Sequence, residues 1–275
     1  MGLFGFGKKK EKQIEKKEGY RCSQYGLFSE AEFEPESFIK AFEKDWGIKL
    51  KADEDNNENI TSMNFKIDNI EFICAFMKGR YPDESPIHAA GRNPLWAEAE
   101  ESVRDHKSFM IIGILKNECT DIIKTCSIFT QVCCSMMSLP GSVCIYNADA
   151  GFVIEKNHYR SHMNIMQAAI KHNDYYLPYQ NWVNVNYVRE EEGQIGAYTT
   201  GLDLFGKLEI ELVHVKYDIE IMQKIIGMLL FGIIMDNRTL NNCEIIRLDE
   251  NVEILTKKDK GYYLSDRDVI HIFYS

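Results

Sequence analysis

Three groups of residues in this chain have types and spacings that chemistry could use. The first is the stretch NECTDIIKTCSIFTQVCCSMMSLPGSVCIYN (117–147), which holds five of the eight cysteines. Cys119, Cys126 and Cys133 recur every seven residues, Cys133 and Cys134 are adjacent, and Cys144 alternates with Val143 and Ile145. Thiolates ligate zinc, exchange disulfides or attack carbonyls. Geometry argues against each use here. Seven helical residues rise roughly 10 Å, whereas zinc holds its sulfurs about 2.3 Å away and a disulfide needs Cα atoms within roughly 7 Å. There is no C-x-x-C, and Cys144 has no activating neighbour. The run reads instead as an amphipathic helix whose cysteines pack as small hydrophobes. Asn117 is its expected N-cap, Glu118 and Asp121 fall in the first turn, and Pro140-Gly141 stops it. Ile122, Ile123, Phe129, Met136 and Met137 join the cysteine stripe, and Asp121, Lys124 and Gln131 fall opposite.

The second group is histidine. His158 and His162 have the i, i+4 spacing of two metal ligands on one helix face, and Glu155 and His172 could complete a site. The zinc-protease pattern H-E-x-x-H fails, because Tyr159 stands where its glutamate must be. A partly exposed helix face is the simpler reading. His106 falls on the apolar side of a helix near its end, where a packed, hydrogen-bonded histidine is expected. The third group is a pair of carboxylates. Glu209 and Glu211 share one face of a strand whose other face carries Leu208, Ile210 and Leu212. Paired carboxylates can do acid–base work, but on a half-exposed strand they form its wet face. The glycines before them, in GQIGAYTTGLDLFG (193–206), match neither a P-loop nor G-x-G-x-x-G and read as bends and bulges.

The elements that must position these groups follow from pattern. Residues 35–46 form a short amphipathic helix, 51–60 a polar turn or loop, and 61–79 a hairpin broken at Asp68-Asn69. Residues 80–93 read as an irregular loop. Asn93-Pro94 then starts a helix whose face carries Leu95, Ala99, Val103 and His106. The apolar run 108–115 is an interior strand. After the cysteine helix come a strand at 142–147, a helix at 157–173, and strands within 182–188 and 196–217. Asp218 caps a buried helix at about 219–235, and short antiparallel strands with turns at Asp-Glu-Asn (249–251) and Lys-Asp-Lys-Gly (258–261) close the chain. The expected class is α+β, a mixed, largely antiparallel sheet packed against several helices. It forms one domain over 21–275, divisible into halves at about 21–190 and 191–275, behind a disordered basic tail (1–20).

Charge narrows the function. Residues 1–18 hold six lysines and three glutamates, net +3, while the whole chain carries −10, leaving −13 for the rest. An acidic body excludes nucleic-acid backbone binding as the main role. The eleven-residue run 225–235 is too short to span a bilayer. Weak peripheral contact with an anionic membrane is left to the tail, through Leu3, Phe4 and Phe6 beside the lysines. Eight free cysteines and no secretory signal point to a reducing cytoplasm.

The segment TTGLDLFGKLEIEL, followed by an apolar helix and MDNRTL, resembles the bacterial domain-of-unknown-function family 4261. The matching residues are Thr200-Gly201-Leu202, Gly206, Glu209-Ile210-Glu211, Asp236 and Thr239. Asn93-Pro94, Trp96 and His106 resemble the N-terminal half that accompanies that domain. The likeness covers about 193–275, and more loosely back to about 70. It departs at Asn237-Arg238, where relatives carry Gly-Asp. The resemblance implies no activity, cofactor or catalytic residue. The expectation from these readings is a non-catalytic protein-binding or accessory protein, of immunity type among other possibilities, with no cofactor and no metal. The alternative is an enzyme or small-ligand protein with a pocket near Trp96, His106, Thr200, Glu209 and Glu211.

Overall fold

A computed structural model describes residues 20, 22–56, 59–216, 219–248 and 252–274. The tail of residues 1–18, the Asp218 cap and the turn at 249–251 lie outside the described residues. The first half of the chain runs β1 (Ser23–Phe28), α1 (Pro35–Trp46), β2 (Ala52–Asn56), β3 (Ile60–Ile67), β4 (Ile70–Lys78), α2 (Ser85–Ala90) and α3 (Ala99–Arg104). It continues through β5 (Ser108–Asn117), α4 (Ile122–Met136), β6 (Ser142–Asn147), β7 (Phe152–Glu155), α5 (Lys156–Tyr159) and α6 (Met163–Lys171). Its strands pair antiparallel in the order β2-β3-β4-β5-β1-β6-β7. The second half adds β8 (Asn184–Arg189), β9 (Ile195–Thr200), β10 (Ile210–Val215), α7 (Ile219–Ile234), β11 (Ile245–Arg247), β12 (Glu253–Lys260) and β13 (Asp268–Tyr274). These strands form a second sheet, β11-β12-β13-β10-β9-β8, antiparallel except where β10 runs parallel to β13. The protein is α+β, and β8 already belongs to the second sheet.

Local chemistry explains the elements that pattern placed well. Proline in its first turn starts α1, and Gly47, at φ 70°, ends it with its N–H on the Glu43 carbonyl. The i, i+4, i+8 spacing of Phe38, Phe42 and Trp46 buries one face of that helix. In the β3–β4 hairpin Ile67 pairs with Ile70, and Asp68 takes the left-handed conformation the tight turn requires.

Elsewhere tertiary contacts override the pattern. The 51–60 segment, expected as a loop, contains β2, an edge strand whose acidic residues need burial on neither face. The 80–93 loop contains α2. Asn93 starts no helix: its Oδ1 accepts from the Leu95 N–H and its Nδ2 donates to the Val153 carbonyl, so Leu95 is exposed and α3 begins only at Ala99. The 157–173 helix is broken into α5 and α6, with His162 at the N-cap of α6, so His158 and His162 share no helix face.

The cysteine helix also differs from its expectation. Asp121, not Asn117, is the N-cap, and Cys119 precedes the helix. No polar side is left in water: Thr125–Met136 are all buried, Gln131 included. The hydroxyls on that side tie α4 to its surroundings. Ser127 donates to the Tyr176 carbonyl (3.0 Å) and Ser135 to Asp45 (2.8 Å), while Thr130 accepts from the Trp182 indole (2.9 Å). Short hydroxyl side chains let a helix be buried all round without unpaired donors.

One apolar cluster runs from the first sheet through α4 to the second, including Phe72, Phe129, Trp182, Ile210, Leu229 and Ile270. A smaller cluster (Leu27, Ile87, Val103, Phe109, Tyr146) lies where α2 and α3 cover the first sheet. Among the described residues no helix is long and apolar enough to cross a membrane.

Candidate functional site

Alternation along the second sheet fixes what each face presents. Ala197, Ile210, Leu212, Ile254, Ile270 and Ile272 enter the core. The opposite face carries Tyr198, Glu211, His271, Phe273, Leu255 and Ile245. Register joins the last three into a row: Phe273 pairs with Leu255, and Leu255 with Ile245. They are 51%, 43% and 66% exposed. Ion pairs flank the row, Arg247 with Glu253 (3.4 Å) and Lys257 with Asp259 (2.6 Å). The His271 ring lies 6.4 Å from that of Phe273.

Beyond His271 the same face is covered by the segment 261–264. Three N–H groups of that segment converge on Glu211: Tyr262 on Oε2 (2.7 Å), Tyr263 and Leu264 on Oε1 (3.1 and 2.8 Å). Glu211 is therefore fully buried although it lies on the outer face. The segment lays Tyr263 over Tyr198, with ring centroids 5.4 Å apart and planes 29° apart. Its hydroxyl donates to Glu190. The other oxygen of Glu190 accepts from the His214 N–H (3.0 Å) and meets His214 Nδ1 at 2.7 Å. His214 has φ 57°, where the β9–β10 register shifts, and that irregularity turns its N–H toward Glu190. Tyr262, 59% exposed, stands edge-on to the His214 ring at 5.2 Å. Gly196 makes this packing possible: a Cβ there would overlap the Tyr263 hydroxyl and come within 2.7 Å of Glu190 Oε1.

The residues singled out from sequence fall in several places. Glu209 and Glu211, expected on a wet strand face, are both buried. Glu209 holds a different turn: Thr199 Oγ1 donates to Oε2 (2.6 Å), and the N–H groups of Gly201 and Leu202 donate to Oε1 (2.8 and 2.9 Å). Burial pushes the Glu209 carboxyl above its ordinary range, and these three donors pull against that shift. Gly201 is needed at φ 109°, since a Cβ would strike the Trp182 carbonyl. Thr200 Oγ1 donates to the Ala150 carbonyl (2.6 Å), tying the second sheet to the β6–β7 turn.

Trp96 and His106 stand on the first sheet instead. Trp96 packs half-buried on the smaller cluster. Both ring nitrogens of the buried His106 are engaged: Nε2 accepts from the Tyr81 N–H (2.8 Å), and Nδ1–H donates to the Val103 carbonyl (2.5 Å). Among the described residues, no hydrogen bond or ring contact joins Trp96 or His106 to Thr200, Glu209 or Glu211. The cysteines are free, and Cys74, Cys126, Cys133, Cys134 and Cys144 are buried. Burial raises the thiol pKa of these five. Among the described residues no three of His, Cys, Asp and Glu gather as a metal site.

Glu190, His214, Tyr262 and the exposed row were missed in the sequence. The only sign was the Tyr262-Tyr263 pair, whose side chains matter through a register that pattern does not supply. Fold and face define an α+β protein of two sheets, one presenting an aromatic outer face with an apolar row at its edge. No family model, curated protein or solved structure matches the chain.

Proposed function

We propose that the protein is a non-catalytic binding protein of the cytoplasm, an accessory or immunity-type partner of another protein, and that its partner docks on the outer face of the second sheet. The observation that supports this is the row Ile245–Leu255–Phe273, three large apolar side chains in direct register yet open to water. Aromatic anchors inside a charged rim are the composition of interface hot spots. Here Phe273 and Tyr262 are the anchors, and the Arg247–Glu253 and Lys257–Asp259 pairs are the rim. The likeness to family 4261 belongs to this reading and names no ligand for it. The test is capture from native lysate by the wild type and by a Leu255→Ser/Phe273→Ser double variant whose circular dichroism is unchanged. The expected result is a partner held by the wild type and lost by the variant. A partner held equally by both, or none held by the wild type, overturns the reading.

A second reading, an enzyme or small-ligand protein, draws on the Tyr263–Glu190–His214 chain, because phenol, carboxylate and imidazole in series can pass a proton. It requires a metabolite, nucleotide or metal that raises the melting temperature of the wild type but not of Glu190→Gln. A screen in which no compound does so removes it.

A further inference from the structure

Between the end of α5 and the first turn of α6 lies an open hollow of about 320 Å³, lined by Asn157, Arg160, Ser161, Met163, Asn164 and Gln167. Five of these six are polar, and Arg160 is the one that carries charge. Arg160 Nε is buried, and among the described residues it is the one buried side-chain nitrogen or oxygen without a hydrogen-bond partner. A guanidinium N–H removed from water and left unpaired is costly, and native proteins rarely keep one without a use. Among the described residues none of the neighbouring side chains bonds Arg160 Nε, and most of them are engaged elsewhere. Ser161 Oγ donates to the His158 carbonyl (2.7 Å) and contacts His162 Nδ1 (3.1 Å). Gln167 donates to the Asp45 carbonyl (2.8 Å) and Asn157 to Glu155 (2.8 Å). Glu155 also accepts the Asn157 and His158 N–H groups (2.8 and 3.0 Å), and the Asp45 carboxylate accepts from Ser135. Neither acid forms an ion pair with Arg160 among the described residues. The Asn164 side chain makes no hydrogen bond among them and remains free to donate.

We propose that this hollow binds a small oxyanion, a phosphate or carboxylate group, through the Arg160 guanidinium and the Asn164 amide. Arginine is suited to this, since its planar fork matches two oxygens of such a group at once. The site lies outside the second sheet and is independent of the docking face.

The experiment is thermal unfolding of the whole chain in sodium phosphate, sodium acetate and sodium chloride at matched ionic strength, for wild type and Arg160→Gln. Phosphate strengthens apolar burial in any protein, so the reading is the difference between the two proteins. Phosphate or acetate at a hundredfold excess over Kd should raise the wild-type melting temperature by about 5 °C beyond chloride. In Arg160→Gln the affinity should fall by about tenfold or more. A larger response to phosphate assigns the site to a phosphoryl group, and a larger response to acetate assigns it to a carboxylate. An equal rise in both proteins, or none in the wild type beyond chloride, overturns the proposal. If Arg160→Gln does not fold, Asn164→Ala carries the test: a weakened response supports the site, and an unchanged one overturns it.

Discussion

Glu211 accepts three backbone N–H groups and Glu209 two, with a threonine hydroxyl as its third donor. Turns expose N–H groups that no strand can pair, and a carboxylate concentrates acceptors where they converge. This role could not be read from the LEIEL pattern, because the segment that buries Glu211 lies 51 to 53 residues further along the chain. His106 was more legible, since its expected apolar place near a helix end already implied a packed, bonded ring, although α3 ends at Arg104 and His106 lies just beyond it. Its protonation follows from that packing. Burial, opposed by the Val103 carbonyl and aided by the nearby Arg80 cation, lowers its pKa below the ordinary 6.5. The neutral ring is the folded form, and Nε2 accepts from Tyr81 only while it is neutral. The contribution is therefore complete above pH 6.5 and declines as pH falls from there toward the lowered value, where the unfolded chain alone takes up the proton. His106→Gln should destabilise the protein more at pH 7.5 than at pH 5.5, as measured by urea unfolding of both proteins at each pH. An equal loss at the two pH values would show that the ring does not titrate in this range.

At the scale of elements, legibility tracked how far each segment carried its own reasons. Helix α1 has its proline, its glycine cap and a clean stripe, and the β3–β4 hairpin has its turn residues and alternation. Strand β2 has none of these and exists because the edge of β3 supplies partners. Helix α7 lies between. Its composition reads as apolar on every side, yet only one face is covered: Met222, Ile225, Ile226, Leu229, Leu230, Ile233 and Ile234 are buried. Phe231 is 50% exposed. On its open side Ile221, Lys224 and Met228 edge a shallow groove with Val252 and Tyr274. Neighbouring positions on one helix therefore separate core from surface. Leu229→Ala should cost about 2–5 kcal/mol through lost transfer energy and a residual cavity, and Leu229→Asp should prevent folding. Phe231→Ser should shift stability by about 0.5 kcal/mol or less. Urea midpoints of these variants check the assignment, and comparable losses at 229 and 231 would mean that the open face is covered.

At the scale of the molecule, the two sheets share one core, and Trp182 stands where they meet. Its ring packs edge-on against Phe129 of α4 at 5.3 Å, its indole N–H donates to Thr130, and its carbonyl backs onto Gly201 of the second half. One further tie crosses the same boundary, Thr200 donating to the Ala150 carbonyl, and Gln24 of β1 anchors the segment just ahead of β8 by donating to the Asn181 carbonyl (3.2 Å). A cut near residue 190 would also take β8 from the sheet it completes. Chains beyond about 150 residues often unfold in stages, so the size of this one alone would suggest two transitions. The shared core argues for one. Losing either half would expose the apolar faces of α4 and Trp182 to water, which removes the intermediate that staged unfolding needs. Scanning calorimetry should therefore show a single transition with equal calorimetric and van't Hoff enthalpies. Trp182→Ala should lower it as a whole, at a cost of about 3–5 kcal/mol. Two resolved transitions, with only one of them moved by Trp182→Ala, would show instead that the sheets fold as separate units and that the ties between them are incidental.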